Sequence, residues 1–362
     1  MFGNVYRDRK VFVTGHTGFK GSWLCLWLKM LGAKVTGYSL PPHTEPNHCE
    51  ILGLDMVGVE GDVREGSSLS RATEECAPDI VFHLAAQALV RPSYQRPAET
   101  FETNVMGTVN LLEACRDTPG VEAVVNVTSD KCYENREWDR GYRENDPMGG
   151  HDPYSASKGC SELVTASYRR SFFSGSGPLV ASARAGNAVG GGDWSEDRIM
   201  PDLFRAAVNG ETTLIRNPTY VRPWQHVLES LSGYLMLGAE LWRGREEFAR
   251  AWNFGPDSDS GLTVLDLAML AGGHWTRIRH ESVKECEAPH EAGLLTLDIS
   301  EARGKLGWWP VWDAESAVRH TVDWYKAYYE EGKVLSREQI EKYVKDAGLG
   351  GLPWTRGNDE IS

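Results

Sequence analysis

The fold of this chain is decided by the stretch Val11-Phe12-Val13-Thr14-Gly15-His16-Thr17-Gly18-Phe19-Lys20-Gly21. A short apolar run turns here through glycines spaced GxxGxxG into apolar residues at helical spacing, from Trp23 to Leu31. Such a turn brings backbone amides close to a pyrophosphate at a helix N-terminus. A Walker-type loop for ATP or GTP requires Ser or Thr directly after its lysine, whereas Lys20 is followed by Gly21. The stretch therefore predicts a dinucleotide site.

A second signal, Tyr154-Ser155-Ala156-Ser157-Lys158, lies far downstream. On a helix, its phenol and its ammonium project from one face. A tyrosine that removes a proton from a sugar hydroxyl needs its pKa to fall from about 10, and both a fixed lysine charge and a positive nicotinamide ring favour the phenolate. For this pair alone, an exposed Tyr and Lys on an amphipathic helix is the alternative. Together with the glycine turn, the pair predicts a nicotinamide enzyme with its own acid/base residue.

Composition limits the partners and the cellular location. The 362 residues carry a formal net charge of −13, so we expect no nucleic-acid partner and no anionic membrane surface. Residues 1–10 lack the apolar region of a secretory signal, and no apolar run is long enough to span a membrane. The cysteines stand singly with no CxxC, which indicates reduced thiols and a cytoplasmic location. They are Cys25, Cys49, Cys76, Cys115, Cys132, Cys160 and Cys286.

A metal site is not expected. His43, His48 and Cys49 lie close together in a Pro-rich stretch. A zinc site needs a fourth ligand at a workable spacing, and the sequence offers none. A solvated loop is therefore the favoured interpretation of this stretch.

Short apolar strands alternate with helical stretches over the first half of the chain. The predicted strands are 11–14, 33–38, 56–60, 80–83, 121–128 and 179–183, and the helices include 99–115 and 153–173. This alternation predicts an α/β fold with a doubly wound parallel sheet of the Rossmann type. The alternation ends near Asn187, and a loop over Gly190-Gly191-Gly192-Asp193-Trp194 follows. We expect a cofactor-binding domain over 1–186 and mainly a smaller C-terminal substrate lobe over 187–362, with part of it, around 220–255, returning to the sheet.

The end of the second predicted strand bears on the choice between NAD and NADP. An acidic residue there usually binds the ribose of NAD, and an arginine suits the phosphate of NADP. The stretch Gly37-Tyr38-Ser39-Leu40-Pro41-Pro42 offers neither, and the nearest positive charges are Lys34 and Arg64. NAD is therefore favoured as the cofactor. Asp62, after the third strand, is expected to bind the adenine amino group.

Further motifs point to a family. The glycine turn, the Tyr154/Lys158 pair and His83-Leu84-Ala85-Ala86-Gln87 resemble the extended short-chain dehydrogenase/reductase family. Over about residues 8–330 the chain is similar to its nucleotide-sugar 4,6-dehydratases, in particular those that act on CDP-glucose. The motifs are Asn126-Val127-Thr128-Ser129-Asp130-Lys131-Cys132-Tyr133-Glu134-Asn135, Arg184-Ala185-Gly186-Asn187, Gly190-Gly191-Gly192-Asp193-Trp194 and Arg222-Pro223-Trp224-Gln225-His226-Val227.

The resemblance implies a lyase that converts CDP-glucose to CDP-4-keto-6-deoxyglucose and water, with NAD reduced and reoxidised within each cycle. It implies that Tyr154 removes the proton of the 4-hydroxyl, that Ser129 hydrogen-bonds the 4-oxygen, and that Lys158 binds the ribose and lowers the tyrosine pKa. Asp130 is implied to protonate the departing 6-hydroxyl. That role requires a protonated carboxyl, which burial favours.

The role of Lys131 stays open between alternatives. In the similar dTDP-glucose enzymes a glutamate at this position removes the C5 proton. A lysine does so only as the neutral amine, which requires its pKa to fall by several units through burial. Alternatively, a charged Lys131 stabilises the enolate while another group moves the proton. A purely structural pairing with Asp130 is the third interpretation.

Binding residues follow from the motifs. For the cofactor we expect Tyr154 and Lys158 together with Gly15, Thr17, Gly18, Phe19, Gly21, Asp62, Val63, Leu84, Ala85, Ala86 and Asn104. For the substrate we expect Gln87, Ser129, Asn187, Arg198, Arg222 and Asn253, with Arg222 the first choice for the diphosphate. A surface salt bridge for an arginine, or a loop-stabilising role for an asparagine, is the alternative in each case. The preference for cytosine rests on the resemblance alone.

Assembly and the competing function complete the predictions. Helices 99–115 and 153–173 are apolar enough to pack against more than their own sheet. In the resembled family two such helices pair with their copies in a four-helix seam, so the resemblance implies a homodimer. An NAD-dependent nucleotide-sugar epimerase or reductase on the same scaffold is the alternative function. It shares Tyr154 and Lys158 but has no need of the Asp130/Lys131 pair.

Overall fold

The computed structural model describes residues 1–257, 261–283 and 294–356, so Cys286 lies outside the described residues. Strands form where short β-branched and apolar runs are buried, as in β4 and β5, in which every residue is buried. The strands are β1 Lys10–Thr14, β2 Lys34–Ser39, β3 Val57–Glu60, β4 Ile80–His83, β5 Ala123–Val127, β6 Leu179–Ala185, β7 Ala188–Val189, β8 Thr213–Ile215, β9 Val221–Arg222, β10 Gln225–His226, β11 Ala251–Phe254, β12 Leu262–Thr263 and β13 His280–Ser282.

Helices connect most of these strands, and several begin at a polar cap. Asp152 accepts a hydrogen bond from the Ser155 amide, and Thr263 forms a capping box with Asp266. The α-helices are α1 Phe19–Met30, α2 His48–Leu52, α3 Gly66–Cys76, α4 Val90–Gln95, α5 Pro97–Phe101, α6 Gly107–Asp117, α7 Pro153–Ser171, α8 Ile199–Asn209, α9 Val227–Trp242, α10 Val264–His274, α11 Ala314–Glu331 and α12 Ser336–Leu349.

Seven strands form one parallel sheet in the order β11-β6-β5-β4-β1-β2-β3. The connection from β3 to β4 crosses back over the sheet, so successive strands are added outward from β1 on one side and from β4 on the other. The predicted doubly wound parallel sheet is therefore confirmed. In such a sheet ligands bind at the carboxyl ends of the two strands where the order reverses, here β1 and β4.

The predicted bounds hold to within one or two residues, with one exception. The predicted helix 99–115 is interrupted, because a π-helical turn over Glu102–Met106 separates α5 from α6. The turn contains Asn104, whose buried side chain bonds the backbone of Gln87 in the loop after β4. Apolar spacing alone does not show a one-residue widening of this kind.

The second half of the chain adds one strand to the central sheet and forms several small sheets outside it. β11 extends the sheet beside β6, whereas β7 to β10, β12 and β13 form three small two-stranded sheets. Aromatic contacts tie the C-terminal helices to α1, with the rings of Trp27 and Tyr343 5.8 Å apart. The domain division at residue 186 stays a prediction. In the described ranges no helix is both long and apolar enough to cross a membrane.

Candidate active site

A cleft of about 690 Å³ opens at the carboxyl ends of the central strands. Its walls come from the segments that follow β1, β4, β5 and β6 and from the first turns of α1 and α7. All the predicted catalytic and binding residues line it except Asn104 and Asn253. Residues that are far apart in the sequence, such as Gly15 and Tyr154, therefore meet in one cavity.

At Gly15 and Gly21 the glycine turn leaves no room for a side chain. Gly15 has a φ of +73°, and a Cβ there would lie 2.7 Å from the Ala85 amide nitrogen. A Cβ at Gly21 would lie 2.1 Å from the Gly15 carbonyl oxygen. No side chain caps the start of α1 at Gly18, so its first turn presents backbone amides to the cleft. This cradle fits the pyrophosphate of a dinucleotide.

The far end of the cleft contains Asp62, whose carboxylate accepts hydrogen bonds from the amide of Arg64 at 2.9 Å and from its Nε at 2.8 Å. The Arg64 side chain holds the pKa of Asp62 below its usual range. Because the two charges neutralise each other, Arg64 is poorly placed to serve as a clamp for the extra phosphate of NADP. The pairing agrees with NAD as the cofactor.

The loop after β4 is held in place by hydrogen bonds to the buried side chain of Asn104. The Asn104 amide accepts a 2.8 Å hydrogen bond from the Gln87 backbone N–H and donates to the Gln87 carbonyl at 3.0 Å. The Gln87 side chain bonds Leu89 and Thr100. Asn104 thus lies behind the cleft wall, where it orders the loop instead of lining the cavity. Asn104 can therefore affect the cofactor only through the loop that it orders, and not by direct contact.

Ser129, Asp130 and Lys131 form a turn directly after β5. The Ser129 hydroxyl donates to Oδ1 of Asp130 at 2.9 Å, and its oxygen accepts from the Lys131 amide at 3.2 Å. Asp130 is 2% exposed, and its buried Oδ2 has no hydrogen-bond partner among the described residues. Burial raises the pKa of this carboxyl, against the attraction of Lys131 and the Ser129 hydrogen bond. The shift favours the protonated form of this carboxyl.

Tyr154 and Lys158 project from the first turns of α7. Burial raises the pKa of Tyr154 to about 12, although the neighbouring Ser129 hydroxyl acts in the opposite direction. Lys158 Nζ donates to the Val127 carbonyl at 3.2 Å, and burial lowers its pKa to about 8. The sequence predicts a lowered pKa for Tyr154, but in the protein without its cofactor this pKa is raised. Proton removal by Tyr154 needs further positive charge beside its ring.

The predicted substrate residues separate into two groups. Asn187, Arg198 and Arg222 line the cleft. Arg222 is 7% exposed, and Arg198 Nη1 is paired with Asp193 Oδ2 at 2.8 Å.

Asn253, in contrast, is fully buried and is not part of the cavity wall. Its side chain accepts from the Tyr133 hydroxyl at 2.7 Å and donates to the Tyr142 and Asp298 carbonyls. All its polar groups are satisfied inside the protein, so we remove it from the substrate set.

A buried ion pair supports the turn after β5. Arg184 Nη2 lies 2.8 Å from Glu162 Oε2, and both side chains are 4% exposed. The Thr128 hydroxyl donates to the other Glu162 oxygen, and Arg184 donates to the Tyr133 hydroxyl at 2.7 Å. This network fixes the residues on either side of Ser129 and Asp130. The Arg184 motif was visible in the sequence, but its partner on α7 was not.

Lys20, to which the sequence pattern assigns no role in the site, lines the cleft on the first turn of α1. Its Nζ donates to the Tyr234 hydroxyl at 3.2 Å, and burial lowers its pKa to about 8. Across the described ranges, no group of three or more His, Cys, Asp and Glu side chains is arranged to hold a metal ion.

Comparisons with known proteins agree with this geometry. Residues 11–253 match the model of the NAD dependent epimerase/dehydratase family. The chain is 47% identical to "CDP-glucose 4,6-dehydratase" of Salmonella typhimurium over 94% of this chain and 98% of that protein. Two solved structures share the fold. The epimerase Mth375 of Methanothermobacter thermautotrophicus has a TM-score of 0.79 at 24% identity and covers 93% of this chain and 96% of its own.

The second structure, MoeE5 in complex with UDP-glucuronic acid and NAD, has a TM-score of 0.75 at 26% identity and covers 88% of this chain and 99% of its own. The predicted family resemblance and the predicted cofactor NAD are confirmed. With its Rossmann-type sheet, its glycine cradle and a match over most of its length, this chain belongs to the NAD dependent epimerase/dehydratase family.

Proposed function

We propose that this chain is a lyase that converts CDP-glucose to CDP-4-keto-6-deoxyglucose and water. One observation carries the proposal: Asp130, a buried carboxyl whose pKa is raised by burial, shares the cleft with Tyr154 and Lys158. Oxidation at C4 needs only the tyrosine and the lysine, whereas loss of water needs an additional acid. The choice of CDP-glucose is supported by the 47% identity to the Salmonella typhimurium protein.

Each catalytic residue has a proposed task. Tyr154 takes the proton of the 4-hydroxyl, and Ser129 hydrogen-bonds the 4-oxygen. Lys158 binds the nicotinamide ribose and adds positive charge near the phenol. NAD held in the cleft would supply the hydride acceptor for C4 and the hydride donor for C6, so that it would be regenerated in each cycle.

The dehydration uses the turn after β5. Once C4 is a ketone, the C5 proton becomes acidic and leaves to a base, and its electron pair forms the C5–C6 double bond. Asp130 gives its proton to the 6-hydroxyl, the C6–O bond breaks, and water departs. Lys131, next to Asp130, either accepts the C5 proton as a neutral amine or stabilises the enolate as a cation.

The two ligands occupy opposite ends of the cleft in this proposal. Gly15, Gly18 and Gly21 supply the cradle for the NAD pyrophosphate, and the other cofactor residues lie beside it. They are Thr17, Phe19, Asp62, Val63, Leu84, Ala85 and Ala86, with Asn104 ordering the loop. Arg222, Arg198 and Asn187 bind the diphosphate of the sugar nucleotide, and Gln87 and Ser129 face the sugar.

Turnover tests the proposal directly. Purified protein with NAD and CDP-glucose is expected to yield a nucleotide sugar lighter by one water molecule, with a C6 methyl group in its NMR spectrum. UDP-glucose and dTDP-glucose under the same conditions test the preference for cytosine. An isomer of unchanged mass would favour the epimerase alternative, and absence of turnover with all three substrates would contradict the proposal.

A homodimer through α5, α6 and α7 is part of the proposal. Large apolar side chains are exposed on α5, on the π-helical turn that follows it and on α7, namely Phe101, Met106 and Leu163. A four-helix seam with a second copy would cover them. Sedimentation velocity tests this: Leu163→Asp is expected to give monomers, whereas Leu349→Asp, at a more exposed leucine on α12, leaves the dimer intact. A wild-type monomer at micromolar concentration would contradict it.

We also infer a cytoplasmic location. The six cysteines of the described residues are all free thiols, and three of them are buried. Proteins of oxidising compartments commonly contain disulfides, whereas free thiols are typical of the reducing cytoplasm.

A further inference from the structure

The end of β5 is joined to α7 by buried hydrogen bonds. Each of residues 126–128 bonds a different side chain of the helix. The bonds run from the Asn126 amide to the Thr165 hydroxyl, from the Lys158 ammonium to the Val127 carbonyl and from the Thr128 hydroxyl to the Glu162 carboxylate. Hydrogen bonds are directional, whereas apolar burial is not. The seam therefore fixes how the strand and the helix lie against each other.

The chain leaves the central sheet after Thr128. The Thr128 amide still bonds the Ala183 carbonyl of β6 at 2.9 Å, whereas residues 129–131 are bonded to one another within their turn. The placement of this turn over the cleft therefore depends on what holds its two ends, Thr128 and Tyr133.

One buried ion pair holds both ends. Glu162 accepts the Thr128 hydrogen bond at one carboxylate oxygen and lies 2.8 Å from Arg184 Nη2 through the other. Nη1 of the same arginine donates to the Tyr133 hydroxyl at 2.7 Å. A continuous path of side-chain bonds therefore runs from one end of the turn to the other. Neither Glu162 nor Arg184 lines the cleft, so the pair acts on the site from behind its wall.

The two parts of the proposed reaction use different segments of the chain. Oxidation at C4 uses Tyr154 and Lys158 on α7, whereas loss of water uses Asp130 and Lys131 on the turn. Both segments must reach neighbouring atoms of one sugar ring. Since a misplacement of about 1 Å costs roughly a hundredfold in rate, the separation between helix and turn has to be held constant.

We propose that Glu162 and Arg184 are positioning residues for the dehydration: by holding both ends of the turn 129–131, the pair keeps Asp130 in place relative to Tyr154. The inference rests on the proposed function. Glu162 is suited to this task because it belongs to the same helix as the residues of the oxidation step. Its bond to Thr128 therefore ties the acid of the second step to the helix that performs the first.

Uncharged variants at the two ends of the turn test the inference, because removing one charge of the pair would leave the other buried and unpaired. Thr128→Val and Tyr133→Phe each keep the shape of the side chain and remove the hydroxyl that bonds the pair, whereas Thr128→Ser keeps the hydroxyl. Thr128→Val is the deciding variant, since the Tyr133 hydroxyl also bonds Asn253. Thr73→Val and Tyr6→Phe are matched controls, in which a buried hydroxyl that bonds a carbonyl outside the cleft is removed.

Single-turnover absorbance of the NAD-loaded enzyme with CDP-glucose separates the two steps. The rise of reduced cofactor reports oxidation at C4, and its decay reports the dehydration that must precede hydride return. In Thr128→Val the ratio of decay rate to rise rate is expected to fall at least about tenfold, because Asp130 is displaced and Tyr154 is not. Tyr133→Phe changes the ratio in the same direction, and Thr128→Ser keeps it near the wild-type value. Loss of folded protein would lower the amplitudes and leave the ratio unchanged.

Hydrogen exchange gives a second measurement that needs neither substrate nor cofactor. The amides of residues 129–133 are followed by mass spectrometry in the wild type, in Thr128→Val and in Thr73→Val. Exchange in this segment is expected to be faster in Thr128→Val than in the other two proteins, because the turn has lost one of its attachments.

Other outcomes would overturn the inference. A wild-type ratio in Thr128→Val, or an equal fall of both rates, would show that the ion pair stabilises the fold without positioning the turn. The same fall of the ratio in Thr73→Val would show that loss of any buried hydroxyl has this effect. If the wild type itself does not dehydrate CDP-glucose, the proposed function has failed. Hydrogen exchange then still decides whether the pair holds the turn, and wild-type exchange in Thr128→Val would show that it does not.

Discussion

The Ser129 hydroxyl donates a 2.9 Å hydrogen bond to Oδ1 of the buried Asp130 carboxyl. This bond fixes the orientation of the carboxyl and leaves Oδ2 without a partner in the described part of the chain. A carboxyl that is held but not ionised is suited to give a proton to a leaving group. In the proposed function, the pair would link the oxygen at C4, bonded by Ser129, to the oxygen that departs from C6.

Replacing Asp130 with Asn tests the acid role. The amide keeps the shape of the side chain but has no proton to give, so kcat is expected to fall by roughly 10²- to 10⁴-fold. Oxidation at C4 does not need Asp130, and reduced cofactor should therefore accumulate in single-turnover absorbance measurements. Asp323→Asn, at an exposed position on α11, is the control. Product formation at the wild-type rate in Asp130→Asn would contradict the assignment.

Lys131→Met tests the step at C5. If Lys131 removes the proton or stabilises the enolate, exchange of the C5 hydrogen with deuterium from the solvent slows by at least about tenfold. The exchange is measured by NMR on the recovered nucleotide sugar, with the exposed Lys34→Met as the comparison. Exchange at the wild-type rate would leave Lys131 with a structural role only.

Gly21→Ala tests the cofactor cradle. The added Cβ on α1 would lie 2.1 Å from the carbonyl oxygen of Gly15, a backbone atom of the turn that precedes the helix. The turn must shift, so we expect the Kd for NAD to rise at least about tenfold and the melting temperature to fall. Calorimetric titration measures the first effect. Gly273→Ala, on α10, adds a Cβ that meets nothing within 4 Å, so it should leave the Kd unchanged and should not lower the melting temperature. An unaltered Kd in Gly21→Ala would contradict the cradle.

Glu229 predicts a pH dependence of stability. This carboxyl is fully buried, accepts hydrogen bonds from the Trp312 amide and the Tyr343 hydroxyl, and has its pKa raised by burial from 4.5 to about 7. The folded state retains the proton to higher pH than the unfolded state does. The stabilisation is therefore fully present below pH 4.5 and is lost as the pH rises to about 7.

The loss is on the order of 3 kcal/mol across that window. Urea unfolding at several pH values measures it, and Glu229→Gln, which has no titrating group, should lack this component. Buried His48, with its pKa lowered to about 3, makes stability change in the opposite direction, so the readout is the difference between variant and wild type. A difference that does not vary between pH 4.5 and 7 would contradict the prediction.

Much of the site could be predicted because its residues follow strands directly. Parallel strands bring their carboxyl ends to one edge, so Gly15 after β1 and Ser129 after β5 had to meet. Tyr154 and Lys158 are separated by one helical turn, which sequence spacing reports faithfully.

The errors came from contacts between distant segments. Asn253 lies within β11, near the carboxyl end of that strand, and its neighbours Tyr133 and Tyr142 place it in the core. The Lys20 amine bonds the hydroxyl of Tyr234, which is more than two hundred positions away. No local sequence pattern signals such a contact. The rise in the Tyr154 pKa likewise depends on burial by the assembled fold.

The fate of the hydrogen at C4 distinguishes a dehydratase from an epimerase. CDP-glucose with deuterium at C4 is incubated with the protein and NAD, and the product is examined by NMR. We expect a 4-keto-6-deoxy sugar with the deuterium at C6, since the hydrogen removed from C4 is delivered to C6 after water has left. Deuterium that returns to C4 with inverted configuration would identify an epimerase and contradict the proposed dehydration.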